Sequence, residues 1–322
     1  MSIVFIGTPA FAVPSLLRLL DTGHEIALVI TQPDRPAGRR RKTLSSPVKE
    51  AALEAGLTVL QPASLRDPAA MHEVAALEPE AMVAVAYGQI LRQEFLDIAP
   101  RGVLNVHPSL LPRFRGASPI PAAILAGDEV TGVTIILMDA GMDSGPMLAQ
   151  RIHAIWPVDT TDSLSPVLSE LGASLLAETL PRWLSGEITP RPQDESSATV
   201  TRLLTKADGL IDWVRPAVEI WRQVRAYNPA PGAHTLVDGA LLHIWQAWPL
   251  EGSSETEPGT VIGIASGRPD AMPAELAAPA FAVQTGDGLL APVELQREGR
   301  KRLSAPAYLR GMPGLIGRRL GK

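Results

Sequence analysis

With 322 residues, 46% of them hydrophobic and 20% charged, the chain has apolar material for a full core and length for two domains, which excludes a disordered protein. It has no cysteine, so disulfides, thiolate metal sites and cysteine nucleophiles are excluded, and a reducing compartment fits. The net charge of -5 is unevenly spread: residues 1–204 hold 16 Lys+Arg against 22 Asp+Glu, whereas residues 297–322 hold eight basic residues and one acid.

The start, MSIVFIGTPA, has no basic region ahead of an apolar run, so no signal peptide is expected. No uncharged apolar stretch approaches the ~18 residues that would span a bilayer, and a cytoplasmic protein is expected. "IVFIG" (3–7) reads as a buried strand, followed by a helix over 10–23 and a second strand, "IALVIT" (26–31). Further strands are expected in "LTVLQ" (57–61), "AMVAVAYG" (81–88) and "GVLNVH" (102–107), with helices near 47–55 and 68–77. Continuous apolar strands separated by helices predict a doubly wound, Rossmann-like α/β domain with a mostly parallel sheet. "GVTIILMD" (132–139) and "GPMLAQRIHAI" (145–155) have less helix between them and read as late or antiparallel strands, before a long helix over 161–185.

The polar, proline-bearing stretch beginning near 186 reads as a crossing segment. Past a short helix at 216–226 the pattern becomes short strands, with DG at 238–239 and GDG at 286–288 as hairpin signals. Five such strands predict a small β-barrel, OB-like in size. The expected organisation is a catalytic domain over 1–189, a linker over 190–207 and a C-terminal barrel domain over 208–322.

Ligands of open α/β sheets bind at the carboxyl ends of the strands. After the first strand stands "GTPAFAVPS", with neither the dinucleotide fingerprint nor a P-loop, so dehydrogenase and NTPase readings lose their main support. Two other strand ends stand out, "LNVHPSLLP" and "LMDAGMDSGP". Asn105 and His107 alternate with Val106 and so share a side of their strand, while Asp139 and Asp143 lie in a glycine-bearing turn. An amide, an imidazole and a carboxylate together suit acyl transfer to an amine. The first two stabilise a developing oxyanion, and the third orients the imidazole or moves the amine's proton. Singly, each has a structural alternative: a strand-end histidine is often only a satisfied polar group, and aspartates in such turns often cap backbone N–H groups. The turn Ser109, Leu110, Leu111, Pro112 is a rigid apolar wall for a flat heterocycle, and Tyr87, Gly88, Gln89 and Ile90 supply backbone groups from another strand end. No second ligand stands at a metal-site spacing from His107, so no metal is expected.

N-V-H-P-S-L-L-P (105–112) followed by D-A-G-M-D-S-G-P (139–146) resembles the folate-dependent formyltransferases, and the resemblance extends along the chain. "FIGTPAFAVPSL" at 5–16, "TQPDRPAGR" at 31–39, "SPVK" at 46–49 and "RAYNPAPGA" at 225–233 resemble the members that act on methionyl-tRNA. The resemblance implies 10-formyltetrahydrofolate as a consumed formyl donor, without a metal, and Asn105, His107 and Asp143 as the catalytic residues. It also implies that Ser109 to Pro112 contact the folate. The loop 33–49 carries Arg35, Arg39, Arg40, Arg41 and Lys42, and on this resemblance it reaches the acceptor stem of initiator methionyl-tRNA, with Arg39 foremost. Lys206, in the expected linker, is a further tRNA-facing candidate. The basic tail and barrel would hold the rest of the stem; nothing calls for more than a monomer. Two alternatives remain. One is a sibling formyltransferase acting on a small amine, since HPSLLP resembles its motif too. The other is a non-catalytic RNA-binding protein, for which the 4% aromatic content offers few stacking residues.

Overall fold

In the computed structural model, residues 2–37, 42–265 and 267–321 are described. Arg39, Arg40 and Arg41 therefore lie outside the described residues. The chain divides into two compact units, Met1–Pro119 with Val130–Ala154 and Ser165–Thr201, and Ile120–Glu129 with Ile155–Leu164 and Arg202–Lys322.

The first unit is built on β1 (Ser2–Gly7), β2 (Glu25–Ile30), β3 (Arg35–Ala37), β4 (Lys42–Leu44), β5 (Val59–Leu60), β6 (Ala81–Val85), β7 (Val103–His107), β8 (Arg115–Gly116), β9 (Val130–Leu137), β10 (Met147–Ala154) and β11 (Val200–Thr201). Seven of them form one sheet in the order β10-β9-β7-β6-β1-β2-β5. Pairing is parallel from β7 through β5, and antiparallel where β9 meets β7 and β10 meets β9. The late strands are thus the antiparallel edge of a doubly wound sheet. β1 and β6 are buried almost throughout, as central parallel strands with both faces covered must be. One core cluster gathers Val4 and Ile6 of β1, Leu28 and Ile30 of β2, and Met82 and Ala84 of β6 around Phe95. Chain order reverses beside β1: β2 and β5 lie on one side, and β6 and β7 on the other. That switch point, at the carboxyl ends of the strands, is where such sheets open a crevice.

Helices α1 (Val13–Asp21), α2 (Pro47–Glu54) and α3 (Pro68–Ala75) each carry proline in the first turn, where no helical amide bond is lost. The helix expected over 10–23 is a 3-10 turn followed by α1, because Pro14 is accommodated as an early residue of a new helix. After α4 (Gln93–Leu96) come α5 (Pro119–Ala126) and the 24-residue α6 (Thr161–Leu184). Two pairings were not expected from the sequence: β3 with β4, at the feet of the basic loop, and β8 with β11.

In the second unit, α7 (Ala217–Ala226) precedes β12 (His234–Val237), β13 (Ala240–Leu250), β14 (Val261–Gly263), β15 (Phe281–Gln284), β16 (Leu289–Arg297) and β17 (Leu303–Ser304), and α8 (Ala305–Gly311) follows. The antiparallel sheet runs β12-β13-β16-β15-β14, with β17 on β16. β13 shifts register twice against β16, between Ile244 and Gln246 and again before Ala247; such bulges bend a long strand and let a small sheet curl. Ile220 and Val224 of α7 join Leu242, Ile244, Phe281 and Leu295 in its core. Among the described residues no helix is long and apolar enough to cross a membrane.

Candidate active site

Asn105 and His107 stand at the carboxyl end of β7, and Asp143 in the turn after β9. The Asn105 amide Nδ2 donates to Asp143 Oδ1 at 3.2 Å. His107 Nδ1 lies 3.5 Å from Asp143 Oδ2, and the ring is almost wholly buried. The same Oδ2 accepts the backbone N–H of Gly116 at 2.8 Å. His107 Nε2 lies 2.9 Å from the carbonyl of Phe114, and a carbonyl only accepts, so this nitrogen carries hydrogen. Both Phe114 (φ +61°) and Asp143 (φ +51°) sit in the left-handed region, which non-glycine residues occupy only where their surroundings hold them. Asp139 does different work: its Oδ1 accepts the N–H of Gly141 and the hydroxyl of Ser144, which shapes the turn.

The 109–112 turn is fastened from β9 and β10. Thr134, fully buried, donates its hydroxyl to the Ser109 carbonyl at 2.7 Å and accepts the Leu111 N–H at 3.2 Å. Gln150 Nε2 reaches both the Leu111 carbonyl and the Thr134 hydroxyl. Ser109 is itself buried and donates to the Arg113 carbonyl. Its hydroxyl therefore holds the turn, while Leu110 and Pro112 are half-buried along it.

Beyond β6 the chain turns out of the sheet through Ala86 (φ +47°) and Gly88 (φ +81°), and Ala86, Gly88 and Ile90 are exposed. Gly88 takes a left-handed conformation that favours glycine, and a Cβ there would stand 2.8 Å from the movable end of the Gln32 side chain. The Tyr87 ring points into the core, its hydroxyl meets no partner among the described residues, and burial pushes it up to about 12. The Tyr87 carbonyl accepts from Thr8 Oγ1 and Gln32 Nε2, and Gln89 Nε2 donates to the Ala63 carbonyl at 3.3 Å.

The feet of the basic loop are tied down. Lys49 Nζ lies 2.6 Å from Asp34 Oδ2, and Gln61 Nε2 donates to Asp34 Oδ1 at 2.7 Å, which together hold the Asp34 carboxyl below its usual value. Lys42 opens β4, paired through its backbone with Ala37. Lys206 is exposed at the start of a 3-10 turn, Lys206–Gly209, of the second unit. The structure thus gathers Asn105, His107 and Asp143 with the 109–112 turn in the first unit.

Sequence reasoning missed Gln193 and Arg115. Gln193 Nε2 donates to the carbonyls of Asp143 and Gly145, each at 2.7 Å. Arg115, buried, donates from Nε to Gln193 Oε1 at 3.0 Å and pairs in bidentate fashion with Glu195. The hydrogen bonds to Glu195 raise the Arg115 guanidinium, and those from Arg115 lower the Glu195 carboxyl. Nothing local in "RPQDESS" marks it as part of a site 50 residues away.

Residues 1–180 match the family described as formyl transferase, and residues 203–313 match its C-terminal domain. The methionyl-tRNA formyltransferase of Roseiflexus sp. (strain RS-1) is 49% identical over 323 residues, covering 100% of this chain and 95% of the relative. That of Methylococcus capsulatus is 44% identical and covers 100% of both chains. Among solved structures, an N-formyltransferase from Helicobacter canadensis in complex with folinic acid and dTDP-3-aminofucose aligns with a TM-score of 0.65 at 18% identity, covering 90% of this chain and 98% of that one. HypX from Aquifex aeolicus in complex with tetrahydrofolic acid aligns at 0.62 and 20% identity, over 98% of this chain and 48% of that one. At these identities the two structures bear on the fold.

Proposed function

This chain belongs to the formyl transferase family, and we propose that it carries the formyl group of 10-formyltetrahydrofolate to the α-amino group of methionyl initiator tRNA. The observation that supports this most is the convergence of Asn105, His107 and Asp143 at one strand end, in a chain that matches relatives of that name from end to end.

The donor supplies a formyl carbonyl on nitrogen and is consumed. The residues present fit it. The exposed, left-handed turn at Ala86–Ile90 offers main-chain groups, and the braced turn Ser109–Pro112 offers an apolar edge, which is what a flat heterocycle with amide-like edges requires. Tyr87, with its ring in the core, contributes through its backbone.

An amine attacking a formyl carbon drives charge onto the formyl oxygen. Asn105 spends one amide hydrogen on Asp143, which leaves the second for that oxygen. A donor of this kind is worth roughly 10²–10³ in rate. His107 stands beside it with its Nε2 N–H on the Phe114 carbonyl and Nδ1 facing Asp143, and that Nε2 N–H is the one it can share with the developing oxyanion. Asp143 orients the amide and the imidazole and relays the proton that the attacking amine must lose to N10 of the donor, whose bond to the formyl carbon breaks as tetrahydrofolate leaves. Arg39, Arg40, Arg41 and Lys42 meet the acceptor stem, with Asp34 tied to Lys49 and Gln61 beside that loop, and Lys206 is a further RNA contact. These contacts position the RNA through its phosphates, so binding weakens with salt.

Transfer of labelled formyl from 10-formyltetrahydrofolate should be measured with methionyl initiator tRNA, methionyl elongator tRNA and glycinamide ribonucleotide in parallel. Transfer to the initiator alone is expected. Transfer to the small acceptor alone would keep the trio's chemistry and overturn the acceptor and the basic loop's role.

A further inference from the structure

The segment between Arg191 and Thr201 is bonded at several of its residues to the loops that make the site. Arg191 and Met147 exchange both backbone hydrogen bonds, at 2.8 and 2.9 Å. Thr199 Oγ1 accepts the N–H of Phe114, its carbonyl accepts the N–H of Arg115, and its own N–H reaches the Pro112 carbonyl. Val200 and Thr201 of β11 pair in parallel with Arg115 and Gly116 of β8. Thr201 Oγ1 donates to the Arg115 carbonyl and accepts the Ser118 N–H. A Cβ at Gly116 would stand 2.5 Å from the Thr201 carbonyl oxygen, so the two backbones approach as closely as glycine permits. The loop that carries Phe114 and Gly116 is thereby held from one side.

Gln193 holds the other loop. Its amide has two donors and one acceptor oxygen, and all three meet partners: the carbonyls of Asp143 and Gly145, and the Nε of Arg115. The opposite amide orientation would set its oxygen against two carbonyl oxygens and its hydrogens against a guanidinium, so the assignment follows from the chemistry of the neighbours. Gln193 is nine-tenths buried, and Asp143, whose carbonyl it grips, has a φ of +51°. A left-handed aspartate persists only where the surroundings over-determine it.

We propose that Gln193 is a positioning residue of the formyl-transfer site, whose two amide hydrogen bonds hold the Asp143 turn so that the carboxylate faces Asn105 and His107. The proposal rests on the reading of Asp143 as catalytic. Without the two donors the turn relaxes toward ordinary backbone geometry, and the carboxylate swings from both partners. A displacement of about 1 Å at a reacting group costs up to about 100-fold in rate.

The test measures kcat, and KM for methionyl initiator tRNA, together with the thermal midpoint. The variants are Gln193→Ala, Gln193→Met, Gln193→Glu, Asp143→Asn and the double variant Gln193→Ala/Asp143→Asn. Gln193→Ala is expected to lower kcat by about 10- to 100-fold while KM changes little. Gln193→Met, which fills the same volume without a donor, should do the same and carries the test if the alanine variant does not fold. Gln193→Glu keeps the acceptor for Arg115 and loses both donors, so it should rescue nothing. Added to Asp143→Asn, Gln193→Ala should slow the enzyme by no more than about twofold, because both act through one carboxylate. Wild-type kcat in Gln193→Glu or Gln193→Met, or the full loss of Gln193→Ala repeated on top of Asp143→Asn, would overturn the proposal. A fully active Asp143→Asn would instead remove the reading on which it rests.

Discussion

His107, at the end of β7, and Asp143, in the turn after β9, meet at 3.5 Å, Nδ1 to Oδ2, and the second carboxylate oxygen is bound by the Asn105 amide. One carboxylate therefore orients both the Asn105 amide and the His107 imidazole. Asp143→Asn leaves a single acceptor oxygen where Asn105 Nδ2 and the Gly116 N–H each need one, and it removes the negative charge beside His107. We expect kcat to fall by roughly 10²–10⁴ with the thermal midpoint little changed, since the side chain lies at a loop and contributes no apolar core. Steady-state kinetics with methionyl initiator tRNA, alongside a melting curve, check this. A collapse of stability with normal kcat in the surviving fraction would make Asp143 a structural cap.

Thr134 is the buried post to which the 109–112 turn is tied. Thr134→Val keeps shape and removes the hydroxyl, which leaves the Ser109 carbonyl and the Leu111 N–H without their partner inside the protein. Unsatisfied buried groups of this kind cost about 1–3 kcal/mol each, so with two of them denaturant unfolding should show a loss of about 2–6 kcal/mol. The turn should also loosen, and KM for the folate donor should rise more than KM for the tRNA. Equal changes in both would place the turn outside the folate site.

The trio is legible in the sequence because its signals are local. Period-two alternation puts Asn105 and His107 on one side of a strand, and glycines flank Asp143 in a turn. The doubly wound sheet is legible for the same reason, its inner strands being continuous apolar runs. What escapes is contact between distant residues. Gln193 is 50 residues from Asp143, and Thr201 is 86 from Arg115, within a polar stretch whose composition reads as a crossing segment. The short β3 and β4, "RPA" and "KTL", carry a proline and basic residues rather than a strand pattern, and their pairing stands next to the contacts of Asp34 with Lys49 and Gln61, residues far apart in sequence. Asp139 shows the converse: it has the same residue type in the same turn as Asp143, but its carboxylate caps Gly141 and Ser144.

On the proposed function, the Asp34–Lys49 pair should bear on RNA rather than on chemistry. Lys49→Met leaves Gln61 as the tie for Asp34 and loosens one foot of the basic hairpin. KM for methionyl initiator tRNA should rise by about two- to fivefold, the scale of a partly exposed ion pair, while the donor's KM stays put. The pH dependence has a definite sign. The Asp34 carboxyl is held below its ordinary 3.8 by hydrogen bonds from Lys49 and Gln61, so what the pair contributes is complete above that value and is lost only as pH falls below it. Near neutrality the tRNA KM should therefore carry no titration from Asp34. A tRNA KM unmoved in Lys49→Met would separate the hairpin's feet from RNA binding.

Tyr87 offers a substitution expected to help. Its hydroxyl is buried and meets no partner among the described residues, and desolvation alone raises it to about 12. A buried hydroxyl without a hydrogen bond costs free energy on folding, so Tyr87→Phe removes a penalty and leaves the ring among Ile6, Met82 and Phe95. The variant should be as stable as the parent or more so, by up to about 1–2 kcal/mol in denaturant unfolding. Its turnover should be unchanged, because the turn at 86–90 contributes main-chain groups and the Tyr87 carbonyl stays bonded to Thr8 and Gln32. A raised KM for the folate donor in Tyr87→Phe would instead assign the hydroxyl to the ligand and explain why an unpartnered polar atom is kept at the floor of that turn.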